Sequence, residues 1–289
     1  MPKISKAIIP AAGIGSRFLP WTKSVPKEML PIIDKPVIQY IVEECVQAGI
    51  DQIAIITDSK KRAIDDYFDN DPSLEYQLEK AGKLKELEEI RKISNLADFV
   101  YIRQKGPYGN ATPVVSAKRF IGNDPFVVLW GDQFIWANPS RLKQCLEVFE
   151  RFNAPTFSAL PVEDYQKKSV GIGKTVKLED NIYKLEEIVE KPGIDKAPSN
   201  LMISGVYILT PDIGPILENL KPGKDGEYWL VDAINLLLKQ REGYAVEIKN
   251  GKYYDTGRKL EYHKTVVDFM LEDPEIGKEM KIYMQEKLK

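Results

Sequence analysis

An α/β fold, with a mostly parallel, twisted central sheet flanked by helices, is what the sequence predicts, and three observations predict it. Short β-rich runs alternate with amphipathic helical patterns along the first half of the chain. The length of 289 residues and a hydrophobic content of 43% suffice to bury a full core. No repeat, low-complexity tract or linker interrupts the pattern, so residues 1–289 read as a single domain.

The elements follow in order. KAIIP, QIAIIT, DFVYIR and PFVVLW are the strands of βαβ units, with PVIQYIVEECVQAG, KKRAIDDYF and PVVSAKRF as the helices between them. Ligands of such sheets gather at the carboxyl ends of the strands, so the loops leaving KAIIP, DFVYIR and PFVVLW are the places to look. Residues 74–93 carry Leu, Glu and Lys at helical spacing and read as an excursion lying against the domain. Between 155 and 208 the pattern turns strand-like, with a hairpin around Glu179, Asp180 and Asn181. The 259–289 segment returns to helix, either packed on the domain or joining a partner subunit in a homo-oligomer.

Composition removes several classes. Lys and Arg number 41 against 43 Asp and Glu, a formal charge of −2, so no global field favours nucleic acid or an anionic membrane. Cys45 and Cys145 each fall in a helical pattern and read as buried free thiols. The N-terminal apolar run is too brief for a secretory segment or a membrane span, which predicts a cytoplasmic protein. His263 sits in a charged helix and is given no function.

The loop 11–31, AAGIGSRFLPWTKSVPKEMLP, carries the most information. Gly13 and Gly15 let backbone amides approach a phosphate, and Arg17, Lys23 and Lys27 place positive charge in one loop. A bare GxG is usually only a turn. Pro20, Pro26 and Pro31 add weight, because they predict a fixed, extended loop that positions its charges. Phe18 stands where a dinucleotide fingerprint needs its third glycine, and Lys168 where a Walker loop leading into GIGKT needs its first, so both motifs fail.

Two acidic positions follow apolar or β-rich runs. Asp132 ends PFVVLWGD, where a buried carboxylate needs a cation or donors, although a turn role is the plainer alternative. Asp255 in YYDTG is by itself a weak signal. Glu190, Lys191 and Pro192 close the hairpin; Pro192 biases Lys191 toward an extended backbone, which would turn Glu190 and Lys191 to opposite sides. Gly205 interrupts a β-suited run and marks a close backbone approach.

The run PAAGIGSRFLPWTKSVPKEMLPIIDKPVIQY resembles the signature of sugar nucleotidyltransferases, and its TK, PKEM and QY elements resemble the bacterial UTP-glucose-1-phosphate uridylyltransferases. The similarity extends through VEKPGIDKAPSNLMISGVYILTPDI and PGKDGEYWLVDAINLLL to YYDTG and covers most of the chain. The resemblance implies a Rossmann-like nucleotidyltransferase fold with a sugar-binding portion at 155–208. It also implies transfer of UMP from UTP to glucose 1-phosphate, with Mg²⁺ held where Asp132 and Asp255 meet. By the same resemblance Ala11, Ala12, Gly13, Gln104 and Gly109 contact the nucleotide. Arg17 and Lys27 hold the triphosphate, Lys191 neutralises the sugar phosphate, and Gly171, Glu190 and Gly205 lie at the sugar, with Asn200 and Glu227 in matching segments.

The chain departs from that pattern in two places. After Gln104 it has KGPYGNATPVVSA in place of a Gly-Leu-Gly-His-Ala-like segment, with Thr112 and Pro113 reading as an N-cap and first-turn proline. The amide of Gln104 suits uracil and thymine equally, so a thymidylyltransferase, or a uridylyltransferase for another sugar, stays open. Trp229-Leu230-Val231-Asp232 replaces Gln-Leu-Thr-Asp and predicts a bulkier, more apolar wall of the pocket or of an interface. A sugar-nucleotide sensor without activity is the rival from another class; it would be expected to lack an aspartate or a basic residue that is present here.

Overall fold

The computed structural model describes residues 3–223 and 226–288. Strand β1 (Lys6–Pro10) leads through two short strands, β2 (Pro31–Ile32) and β3 (Lys35–Pro36), into helix α1 (Val37–Gln47) and strand β4 (Gln52–Thr57). Helices α2 (Arg62–Phe68), α3 (Pro72–Lys80) and α4 (Leu84–Ser94) precede β5 (Asp98–Arg103); α5 (Thr112–Ser116) and α6 (Lys118–Ile121) precede β6 (Phe126–Leu129). These strands form the parallel order β5-β4-β1-β6, with Ile8 paired to Ala54 on one side and to Val128 on the other. The wholly apolar centres of β1, β4 and β6 are buried, as strands covered on both faces must be.

The chain moves outward from β1 to β4 to β5, then returns to the other side of β1 with β6. That reversal opens a crevice beyond the carboxyl ends of β1 and β6. Pro10 and Asp132 both leave the sheet there.

The second half adds β7 (Gln133–Ala137), α7 (Arg141–Phe152), β8 (Thr156–Pro161), β9 (Gly171–Lys177), β10 (Ile182–Glu190) and β11 (Leu201–Leu209). Then come α8 (Ile213–Glu218), α9 (Leu230–Leu238), β12 (Tyr244–Glu247), β13 (Gly251–Asp255), α10 (Lys259–Glu272) and α11 (Gly277–Lys287). The central sheet has nine strands and the α/β class holds. Parallel pairing, however, belongs to the first half; beyond β6 only β8 and β12 run parallel, and the rest is antiparallel. The cause is local: β9 and β10 are joined by the turn at 178–181, too short for a crossover. Through Met202 opposite Ile172, β9 returns to β11, so five strands pair into a ring.

The helical excursion is two helices, broken at Gly82, whose φ of +70° ends α3; Asp71 caps that helix by accepting from the Ser73 and Leu74 amides. Apart from the central sheet, β7 pairs with β13, and α10 covers this ribbon with Phe269 edge-on to Phe134, Trp136 and Tyr254. Cys45 and Cys145 are free and buried, their thiols pushed up by burial, and His263 is exposed on α10. No helix among the described residues is long and apolar enough to cross a membrane.

Candidate active site

The loop after β1 is compact rather than extended, and this corrects the reading of its prolines. Three 3₁₀ turns occupy Ser16–Phe18, Trp21–Lys23 and Lys27–Met29. Pro20 and Pro26 each stand just before a turn, where a fixed φ starts it. The Thr22 hydroxyl donates to the Gly15 carbonyl at 2.8 Å and folds the loop back. Gly15 has φ +70°, and a Cβ there would lie 3.1 Å from Thr22 Cγ2.

This fold carries Lys27 inward and leaves Lys23 exposed. Lys27 pairs with Asp132, and its Nζ lies 3.5 Å from where a Cβ on Gly13 would stand. Burial opposes the charge of Lys27, but Asp132 and Glu28 outweigh it and hold the ammonium above the usual lysine value. Next to it Glu28 is 1% exposed and held by Lys61 at 2.8 and 2.9 Å. Burial still pushes the Glu28 carboxyl up, against the pull of Lys61 and Lys27. A Cβ on Gly131 would sit 3.1 Å from both Glu28 Cγ and the Pro10 carbonyl, so the loop and the ends of β1 and β6 meet in one seam.

A first cavity of about 230 Å³ opens beside this seam, lined by Ala12, Gly13, Lys27, Gln104, Gly109 and Glu227 among others. Ala11 is not on its wall: it is buried, and its amide donates to Ile56 at 2.8 Å, continuing the β1–β4 pairing. Gly109 has φ +142°, and a Cβ there would fall 2.2 Å from the Tyr228 carbonyl oxygen. The reason is a backbone clasp, in which Tyr228 N–H donates to Tyr108 and Ala111 N–H donates to Tyr228, both at 3.0 Å. Asn110 completes it by accepting from the Leu230 amide at 2.7 Å, at the start of α9. The Thr112 hydroxyl is not a cap: it donates to the Pro107 carbonyl at 2.6 Å, and only Pro113 keeps its first-turn role. Trp229 walls this cavity and Val231 the next, as the bulkier segment predicts.

A second cavity of about 270 Å³ adjoins the first through Asn110, Trp130 and Asp132. Arg17, Gln133, Gly171, Glu190 and Asp255 line it. The β7–β13 pairing sets Asp255 opposite Gln133, one residue past Asp132. A Cβ on Gly257 would lie 3.1 Å from Asp255 Oδ1 and 3.2 Å from Asp132 Oδ2, so the two carboxylates converge. Thr256 donates to the Asp132 carbonyl, Gly257 N–H to Asp255, and Arg17 to the Gly257 carbonyl at 3.3 Å. Burial, then the charge of Asp132, raises the Asp255 carboxyl above its ordinary value against the pull of Arg258 at 3.3 Å. Two mutually repelling carboxylates of this kind fit a hard divalent cation completed by phosphate oxygens. No group of three or more His, Cys, Asp or Glu suited to a metal occurs among the described residues.

On the far wall, Glu190 flanks Gly171, whose Cβ position would be 3.1 Å from Glu190 Oε2. Burial raises the Glu190 carboxyl more than Lys191 lowers it. Lys191 corrects the sequence reading. Its φ is +47°, and its Nζ lies 3.5 Å from Glu190 Oε1, on the same side rather than the opposite one. The Lys191 amide donates to Val170 and Gly193 N–H reaches Lys167, so the chain runs on antiparallel past the start of β9, with Lys191 in the left-handed region and outside the right-handed helical region closed to it before Pro192. Lys191 Nζ also stands 4.9 Å over the Trp229 ring. Gly205 does mark a close approach, but of Arg141: a Cβ there would lie 2.6 Å from Arg141 Nη1, and Gly205 is not on the cavity wall. Asn200 accepts from Lys167 at 2.6 Å, away from either cavity.

Lys61, Arg141, Ser204, Tyr253 and Arg258 belong to this architecture and were not legible as such. Their side-chain partners lie 33 to 120 positions away except for Arg258, which pairs with nearby Asp255.

The family model for nucleotidyl transferase matches residues 6–270. A UTP-glucose-1-phosphate uridylyltransferase of Bacillus subtilis is 45% identical over 99% of this chain and 97% of its own, and one of Staphylococcus epidermidis is 43% identical over 99% of each. Among solved structures, a UDP-glucose pyrophosphorylase complexed with UDP-glucose superposes with a TM-score of 0.86 at 38% identity, covering 94% of this chain and all of that one. A UTP-bound enzyme of the same kind from Acinetobacter baumannii gives 0.90 at 35% identity, over 98% and 99%.

Proposed function

Since the chain belongs to the nucleotidyl transferase family, we propose that it transfers UMP from UTP to glucose 1-phosphate, forming UDP-glucose and pyrophosphate. The observation that carries this is the convergence of Asp132 and Asp255, with Arg17 and Lys27 beside them, at the junction of two cavities. The first cavity takes the nucleotide, with the Gln104 amide offering a donor and an acceptor to the uracil edge. The second takes the sugar 1-phosphate, its hydroxyls toward Glu190 and Gly171 and its phosphate toward Lys191, which stands off the cavity wall beside Glu190.

A phosphate oxygen of the sugar attacks the α-phosphorus of UTP as the bond from that phosphorus to the bridging oxygen breaks, and pyrophosphate leaves with the electron pair. The nucleophile is already anionic near neutral pH, so no side chain need remove a proton. Lys27 and Arg17 hold the triphosphate, Lys191 draws the sugar phosphate in, and the Tyr228 clasp fixes the base loop against the first cavity. Asp132 and Asp255 would hold Mg²⁺, which would neutralise phosphate charge there.

We take residues 1–289 as one catalytic domain with its sugar portion at 155–208, acting in the cytoplasm as a homo-oligomer, with α10 packed on the domain. The test pairs UTP or dTTP with glucose, galactose or N-acetylglucosamine 1-phosphate and reads pyrophosphate release with and without EDTA. UTP with glucose 1-phosphate is expected to lead, and EDTA to abolish turnover. Equal or better turnover with dTTP would sink the uridylyl assignment.

A further inference from the structure

We propose that Gln133 reads a hydroxyl of the sugar 1-phosphate, donating from its Nε2 amide on the wall of the second cavity; this rests on reading that cavity as the sugar site. Gln133 lines the cavity immediately after Asp132. Its Oε1 accepts from the Tyr253 hydroxyl at 2.5 Å and from the Ser204 hydroxyl at 3.3 Å. A carboxamide has one acceptor oxygen with two lone pairs and one NH₂ with two donors. With both lone pairs taken by two neighbours on the same wall, Nε2 is the end left for the cavity, and it has no hydrogen-bond partner among the described residues.

The main chain of Gln133 is held as firmly as its oxygen. Strand pairing sets it opposite Asp255, and Arg141 donates to its carbonyl at 3.4 Å. Arg141 is fully buried and anchored by Glu44 at 3.0 Å, and it fits only because Gly205 leaves the space. The cavity thus presents an acceptor, Glu190, and a positioned neutral donor, Gln133. A hydroxyl gives one hydrogen and accepts another, so a polyol matches this wall; an oxyanion meets repulsion from Glu190.

The test compares wild type, Gln133→Ala and Tyr253→Phe with UTP and glucose 1-phosphate or its 2-, 3-, 4- and 6-deoxy analogues. Gln133→Ala is expected to lower kcat/KM for glucose 1-phosphate about tenfold to a hundredfold, with KM for UTP unchanged. One deoxy analogue should lose as much in the wild type and lose nothing further in Gln133→Ala, the mark of a shared contact. Tyr253→Phe should show the same analogue pattern at smaller amplitude, and it decides the matter if Gln133→Ala melts early. Equal additional losses for every analogue, or a change confined to KM for UTP, would overturn the contact. Wild-type enzyme inert toward every sugar 1-phosphate would instead refute the sugar-site reading itself.

Discussion

The two halves of the molecule handle charge in opposite ways. Around the ends of β1 and β6 the working side chains are ions already paired with other ions: Lys27 with Asp132, and Glu28 with Lys61. Across the second cavity the wall adds neutral hydrogen bonds among Gln133 of β7, Tyr253 of β13 and Ser204 of β11, with Glu190 of β10 beside them. Parallel strands converge their ends on one crevice and suit a polyphosphate, whose charge must be met at once. The antiparallel ring presents side chains along a wall and suits a polyol, recognised group by group. The difference teaches that charge here is pre-paired within the protein where the triphosphate arrives, whereas in the second cavity neutral groups share the wall with Arg17, Glu190, Asp255 and Arg258.

That contrast can be broken experimentally. The largest effect is expected for Asp132→Asn, which should lower kcat about 10³-fold with the fold intact, read as pyrophosphate release at saturating Mg²⁺. Substantial retained activity would end the case for Asp132 as a metal ligand. Next is Lys61→Met, which leaves Glu28 buried and unpaired and should cost about 3–5 kcal/mol in urea unfolding. Adding Glu28→Gln should recover part of that loss, and an equally unstable double variant would refute the pairing as its cause. Gly109→Ala forces a side chain into the Tyr228 clasp at φ +142°; it should raise KM for UTP by about tenfold while leaving KM for the sugar phosphate alone.

The smallest effect concerns pH. Because the folded Asp255 carboxyl is raised, first by burial and then by Asp132, the metal-free protein loses stability as pH rises from the unfolded value of about 3.9 through the raised folded one. Asp255→Asn should flatten that fall and melt higher than wild type in EDTA above this window, while losing activity. A melting curve with unchanged pH dependence would show that the two aspartates do not oppose each other.

Much of the parallel half was legible because its signals are local: KAIIP, QIAIIT and PFVVLW are strands by their own composition, and Gly13, Arg17 and Lys27 share one loop. The hairpin at 171–190 was legible for the same reason. What escaped depends on distant partners. Nothing in the sequence near Glu28 names Lys61, and nothing near Asn110 names Leu230, 120 residues away. The extended loop expected from its prolines yields to one Thr22 hydrogen bond, and Lys191 is left-handed where an extended backbone was expected. Gly205 was rightly read as a close approach, but the approaching group, Arg141, comes from helix α7.

The seam at Gly131 has a consequence for descent. With Glu28 and Pro10 both within 3.1 Å of any added Cβ, the loop that meets the triphosphate and the strand end that leads to Asp132 leave no room for a side chain between them. A substitution at 131 therefore displaces Glu28, and with it the Lys61 ammonium that holds it, so a tolerated change at one of the three positions is expected to come with changes at the others.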